Sequence, residues 1–154
     1  MNSFLEWVES TWFSSLVRDS RWGFAIAEIF HLAGLALLLG GVVLVSLRLA
    51  GLVMADRPVS EVAAEVRLWL LTGLAIMIAS GISLWASEAV RMDGKWWFWF
   101  KMVCLVLAIV FQFAVFGRVT RKDDTSRRVR LLTAAGGLLL WFGVGFGGRA
   151  IGFL

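Results

Sequence analysis

A chain of 154 residues that is 60% hydrophobic and only 17% charged has too little polar surface for a soluble domain. Its apolar segments are too long for outer-membrane barrel strands and do not alternate, which leaves helices as the structure that satisfies every backbone group in lipid. The net charge of +4 is concentrated in one loop, so it indicates membrane topology rather than nucleic-acid binding.

The N-terminal segment, residues 1–21, is amphipathic but too short and too polar to cross a bilayer. Phe4, Trp7, Trp12 and Leu16 recur at helical spacing, with acidic residues elsewhere in the segment. This pattern predicts a helix that lies in the membrane interface.

Apolar segments of the length that spans a bilayer, about 20 residues, make up most of the remaining chain. They cover approximately residues 22–53, 68–90, 96–119 and 131–152. Short loops join them and no internal repeat is visible. In the loop after the first span, Ser60 could cap a short helix through Glu61–Arg67. The predicted fold is therefore all-α: a single integral membrane domain, residues 1–154, built as an antiparallel four-helix bundle with an N-terminal interfacial helix.

Lysine and arginine are distributed unequally between the loops. The loop after the first span contains Arg57 and Arg67. The loop after the third span, on the same side of the bilayer, contains Arg121, Lys122, Arg127, Arg128 and Arg130. Because basic loops stay in the cytoplasm, both termini are predicted to lie outside.

The first span contains an ionisable pair. Glu28 and His31, the one histidine of the chain, lie at i and i+3 and share a helix face. A charge in the hydrocarbon costs at least ~2.5 kcal/mol unless it is paired or neutralised, so the pair predicts a functional site. The simpler interpretation is that His31 only hydrogen-bonds Glu28 or a facing serine.

Other polar residues are predicted at a similar depth, in the outer half of the bilayer. Lys101 lies near the start of the third span, in a stripe with Cys104, Ala108 and Gln112 that is expected to face the interior, and Arg149 lies near the outer end of the fourth. Lys101 could instead snorkel to the headgroups, and Arg149 could anchor the boundary. The inner half is almost entirely apolar, which favours a site that opens outward over an ion or proton carrier.

Several short runs resemble an uncharacterised family of small bacterial four-helix membrane proteins. They are HLAGLALLLGG in the first span, SGISLW at Ser80–Trp85, WFWFKM at the start of the third span and GRAIGF near the C-terminus. The chain departs from this family at Ser46, where aspartate is expected. The resemblance implies a bacterial inner-membrane protein, and the topology then places both termini in the periplasm.

The first-span histidine and the lysine that follows tryptophans in a later span are distantly similar to two further families. The HemJ-type protoporphyrinogen oxidases imply haem b held by the histidine with the lysine nearby, which maps onto His31 and Lys101. The CopD-like copper-resistance proteins imply copper handling, but the methionines of this chain do not form a thioether cluster. Haem is therefore the first expectation and copper the second.

For a haem b site we expect His31 to be an axial ligand of the iron and Glu28 to orient its ring or offset a nearby cation. Lys101 would be the opposite axial ligand or a propionate partner, and Arg149 would hold the second propionate. A single histidine rules out bis-histidine ligation within one chain and favours a homo-oligomer.

The expected role of such a site is redox chemistry or electron transfer with a periplasmic donor or a quinone. Oxidation of a porphyrin-like substrate is the enzymatic variant. A different class of function is a non-catalytic accessory subunit of a larger membrane complex, whose polar residues only join helices.

Overall fold

The computed structural model describes residues 2–153, in which four helices are long and apolar enough to cross a membrane. Span 1 is Gly23–Leu49, span 2 is Val59–Ser87, span 3 is Trp96–Val119 and span 4 is Arg127–Phe153. Between residues 2 and 153 there is no β-strand. The prediction of an all-α chain with four long apolar helices is confirmed; Met1 and Leu154 lie outside the described residues.

Spans 2 and 4 begin earlier in the chain than predicted. Span 2 starts at Val59 instead of residue 68, and span 4 starts at Arg127 instead of residue 131. Hydropathy identifies only the apolar part of a helix. It therefore does not detect the polar turns with which both helices begin. The added turns of span 2 are stabilised by Arg57, which bridges Glu61 and Glu65 at 2.5 Å each.

The N-terminal segment forms two helices, Asn2–Ser10 and Trp12–Asp19, where a single one was predicted. The break lies at Thr11, whose hydroxyl caps the second helix by accepting from the Ser14 backbone N–H at 3.4 Å. Both helices remain amphipathic and carry exposed aromatic residues, including Trp7.

The two N-terminal helices pack at the end of the molecule that contains His31. We call this end the site end, and the opposite end, with the loops 50–58 and 120–126, the basic end. The two N-terminal helices contact spans 1 and 2 and the short helix Ala89–Asp93. Leu5, Val8 and Ala89 form a small apolar cluster there. Glu9 accepts a hydrogen bond of 2.8 Å from the Val90 backbone N–H.

The spans pack in the order 2–1–4–3. Span 1 has an extensive interface with span 2 and a smaller one with span 4, and span 3 packs against span 4. In the described part of the chain, no Cα of span 2 lies within 8 Å of a Cα of span 3. The helix arrangement therefore has a seam between spans 2 and 3.

Spans 1 and 2 approach each other closely at a pair of glycines. A Cβ added to Gly34 would lie 3.0 Å from the Gly73 carbonyl oxygen, and one added to Gly73 would lie 2.8 Å from the Gly34 carbonyl oxygen. Such small-residue contacts let helix backbones pack tightly in lipid. This contact sets the distance between the two helices one turn beyond His31.

Candidate functional site

His31 lies half-buried between spans 1 and 2 at the site end. Its Nδ1 is 3.0 Å from the hydroxyl oxygen of Ser80 on span 2. A Cβ added to Gly81 would lie 3.2 Å from the His31 Cε1, so the glycine makes room for the ring. The Met77 backbone, one turn before Ser80, is a further polar neighbour of the ring.

The second contact of Ser80 determines where the His31 proton is. The Ser80 hydroxyl donates its one proton to the Ile76 carbonyl at 2.6 Å, a bond back to the preceding turn. Its oxygen must therefore accept from His31, so Nδ1 of a neutral ring carries the proton and Nε2 carries the lone pair. A hydrogen bond that fixes the imidazole in this way is typical of ligating histidines.

Lys101 lies on span 3 and extends along a glycine surface of span 4. A Cβ added to Gly147 would lie 3.1 Å from the Lys101 Cβ, and one added to Gly148 would lie 3.5 Å from its Nζ. The Lys101 ammonium is close enough to His31 for the two to interact electrostatically. Of the four predicted site residues, His31 and Lys101 are thus within electrostatic range of each other, but no hydrogen bond joins them within residues 2–153.

The rest of the Lys101 stripe also faces span 4. Cys104 has its Sγ 3.4 Å from the Cβ position of Gly143, and Ala108 is buried. The Gln112 side-chain oxygen accepts a hydrogen bond of 3.2 Å from the indole N–H of Trp141. The prediction that this stripe faces the interior is confirmed, and Gln112 links two helices.

Glu28 does not join the site as a hydrogen-bonding partner. It is exposed on span 1, and within residues 2–153 it forms neither a hydrogen bond nor an ion pair. The reason is that His31 turns toward span 2, where Ser80 is its partner. Arg149 is exposed on span 4, directly after Gly148, against which the Lys101 amine lies.

Ser80 is the site residue that the sequence analysis did not single out. Its signal was the adjacent glycine in the SGISLW run, because a small hydroxyl next to a glycine leaves space for a ring from another helix. The simpler interpretation, in which His31 bonds a facing serine, is confirmed as a contact.

The donor atoms near His31 limit the kind of metal group that would fit. Among the described residues, no group of three or more His, Cys, Asp and Glu side chains could hold a metal ion. Zinc bound by protein atoms alone takes such a group, whereas copper can also be bound by methionine thioethers. A haem iron is already held by its porphyrin and takes only axial ligands from the protein. The imidazole of His31, held by Ser80, and the nearby Lys101 amine are both side chains of the kind that can serve as axial ligands.

The chain belongs to a family of unknown function, DUF6644, which matches residues 4–154. No curated protein and no solved structure matches it. The expected membership of an uncharacterised family that covers nearly the whole chain is confirmed.

Proposed function

We propose that this protein is a multi-pass bacterial inner-membrane protein that binds haem b near its periplasmic face and takes part in electron transfer. The main support is the hydrogen-bonding of His31, whose Nδ1–H donates to Ser80 at 3.0 Å and whose Nε2 is left as the ligating nitrogen. Bound haem would supply a one-electron redox couple at this position.

Within this proposal each of the remaining site residues has a role. Ser80 orients the imidazole of His31 and increases its basicity as a ligand. Lys101, which interacts with His31, serves either as the second axial ligand in its neutral form or as a cation for one propionate. Arg149, exposed near the end of span 4, pairs with the second propionate. Glu28 offsets cationic charge at the exposed rim.

The absorption spectrum of the purified protein tests this function. After expression with adequate haem supply, the wild-type protein is expected to show a Soret band, and His31→Ala is expected to lose or shift it. Lys101→Ala should alter the band if the amine is a ligand. Cys104→Ala is the matched control, because Cys104 lies on the Lys101 stripe but packs against Gly143.

Two results would contradict the proposal. A colourless wild-type protein would exclude haem and favour the accessory-subunit alternative, which needs no cofactor. A coloured wild-type protein whose spectrum is unchanged in His31→Ala would retain the cofactor but exclude His31 as the ligand.

The orientation in the membrane and the oligomeric state are further parts of the proposal. A reporter that works only in the periplasm should be active when it is fused after Leu154. Activity of a reporter that works only in the cytoplasm at the same position would reverse the proposed topology.

A homo-oligomer would bring a second His31 to the cofactor, since each chain has one histidine. Native mass spectrometry in mild detergent that detects only monomers would exclude this arrangement.

A further inference from the structure

A groove lies in the seam between spans 2 and 3, toward the basic end. Its walls belong to spans 2 and 3, and residues of span 1 form its floor. Most of its lining is apolar and includes Val45, Leu70, Leu71, Leu74, Phe113 and Phe116. His31 and Lys101 do not line it, so this groove is separate from the site described above.

Two arginines, Arg67 and Arg121, line the same groove. Both are exposed, and neither forms a hydrogen bond or an ion pair with any other residue that the structure describes. Two guanidinium groups without a protein partner thus lie beside an apolar surface.

Three acidic side chains on nearby turns are engaged with other partners, whereas Asp124, three residues after Arg121, forms no hydrogen bond or ion pair within residues 2–153. Glu61 and Glu65 both pair with Arg57 at 2.5 Å. Asp123 accepts a hydrogen bond of 2.6 Å from the hydroxyl of Ser60. The arginines of the groove are therefore available to an external anion.

The apolar part of the groove is shorter than one leaflet of a bilayer. On span 2 the lining from Arg67 to Leu74 covers about 10.5 Å of helix. Half of a bilayer's hydrocarbon core is about 15 Å thick. The part of an acyl chain nearest its headgroup could therefore lie along the apolar lining while the headgroup remains at the arginines.

An irregularity of span 3 occurs at this groove. Gln112–Phe116 forms a π-helical turn, and Gln112, Phe113 and Phe116 all line the groove. Such turns widen a helix locally and are frequent at functional sites. The irregular backbone of span 3 therefore lies at the groove and not at the His31 site.

We propose that this groove binds one anionic phospholipid, with an acyl chain between spans 2 and 3 and the phosphate at Arg67 and Arg121. Guanidinium groups bind phosphate through paired, charge-assisted hydrogen bonds. Their charge favours an anionic lipid over a zwitterionic lipid or a neutral quinone. The basic end is also the end that the positive-inside rule places in the cytoplasm, where the leaflet carries anionic lipids.

Lipid titration of the delipidated full-length protein in non-ionic detergent, followed by native mass spectrometry, tests this site. Phosphatidylglycerol is expected to bind more tightly than phosphatidylcholine with the same acyl chains. The double variant Arg67→Gln/Arg121→Gln should lower the phosphatidylglycerol affinity by roughly 30-fold. Arg67→Lys/Arg121→Lys retains the charge and should retain most of the binding.

The matched control is Arg127→Gln/Arg128→Gln, which makes the same change in charge at exposed residues that do not line the groove. It should change the affinity far less than the groove variant. Equal binding of the two lipids, or equal losses in the groove and control variants, would contradict the proposal. Displacement of the lipid by inorganic phosphate would also contradict it, because the site would then recognise an anion alone.

A second variant covers the case in which the double glutamine variant does not fold. Ala64 lines the groove, so Ala64→Phe should fill it without changing charge and should abolish phosphatidylglycerol binding. Circular dichroism would verify its helix content. Unchanged binding by folded Ala64→Phe would exclude the groove as the site.

Discussion

His31 and Ser80 join spans 1 and 2 through a hydrogen bond of 3.0 Å between the imidazole Nδ1 and the hydroxyl oxygen. The direction of this bond follows from the Ser80 hydroxyl, whose proton is already donated to the Ile76 carbonyl. One serine thereby fixes both the ring position and the nitrogen that bears the lone pair.

Replacing Ser80 should weaken cofactor binding without removing the proposed ligand. In Ser80→Ala the His31 Nδ1 loses its acceptor, and haem affinity should fall by roughly 10–100-fold, as for other residues that orient metal ligands. Haem titration of the apoprotein, followed by absorption, would measure the change.

Ser83→Ala is the control for this variant. Within residues 2–153 the Ser83 hydroxyl bonds only the Ala79 carbonyl of its own helix, at 3.0 Å. It should bind haem as the wild-type protein does. Equal losses for the two variants would mean that Ser80 does not act through His31.

The contact between Gly34 and Gly73 should be intolerant of any side chain. Gly73→Ala places a Cβ 2.8 Å from both the Gly34 carbonyl oxygen and the Leu38 backbone nitrogen, so a backbone must move. We expect a loss of ~1–3 kcal/mol in the free energy of unfolding, the usual cost of overpacking. Unfolding by denaturant in detergent micelles would measure it.

Gly40→Ala provides the comparison, since nothing lies within 4 Å of its added Cβ. This exposed helix position should be neutral or gain up to ~1 kcal/mol from helix propensity. If Gly73→Ala were as stable as Gly40→Ala, the close approach of spans 1 and 2 would be incorrect.

The bond between Gln112 and Trp141 should stabilise the packing of spans 3 and 4. Trp141 is 1% exposed, and its indole N–H donates to the Gln112 side-chain oxygen at 3.2 Å. Gln112→Leu leaves this donor unpaired, so the free energy of unfolding should fall by ~0.6–2 kcal/mol. A double-mutant cycle compares Gln112→Leu, Trp141→Phe and the double variant, in which both partners are removed. The coupling energy from this cycle should be of the same size. A coupling energy of zero would exclude the bond.

The contact between Asp123 and Ser60 should depend on pH. Hydrogen bonds from the Ser60 side chain and backbone hold the pKa of Asp123 below its ordinary value of 3.8. Because folding favours the ionised form, the stabilisation is fully present above the ordinary pKa and is lost as pH falls through the lower, folded-state pKa. The protection factor of the Ser60 amide, which is its exchange rate compared with that of an unstructured amide at the same pH, should therefore fall in acid.

Asp123→Asn should remove most of this acid dependence, whereas Asp124→Asn should retain it. Asp124 is exposed and has no hydrogen bond or ion pair within residues 2–153. Exchange at Ser60 that has the same pH profile in all three proteins would show that the carboxylate of Asp123 does not hold this loop to span 2.

The spans could be predicted from sequence because hydropathy is a local property, and the inward stripe from Lys101 to Gln112 followed from helix periodicity. The break at Thr11 was missed because a threonine within an amphipathic run fits a continuous helix equally well. The continuity of residues 59–67 with span 2 was missed because these turns are polar, and hydropathy does not detect the pairing of Glu61 and Glu65 with Arg57 that stabilises them.

The seam and the partner of His31 depend on helix positions that the sequence alone does not determine. His31, Lys101 and Arg149 were predicted at a similar depth from their positions along the spans, but rotation of each helix about its axis decides which side chains meet. That rotation follows from contacts such as Gly34 with Gly73. The same rotation leaves Glu28 exposed, although it shares a helix face with His31.

Chemical rescue of His31→Gly by imidazole tests the proposed haem ligation most directly. The wild-type protein should carry haem with a nitrogen-ligated spectrum, His31→Gly should lose that spectrum, and added imidazole should restore it by occupying the position of the missing ring. A wild-type protein without haem, or a His31→Gly spectrum identical to wild type before imidazole is added, would contradict ligation by His31.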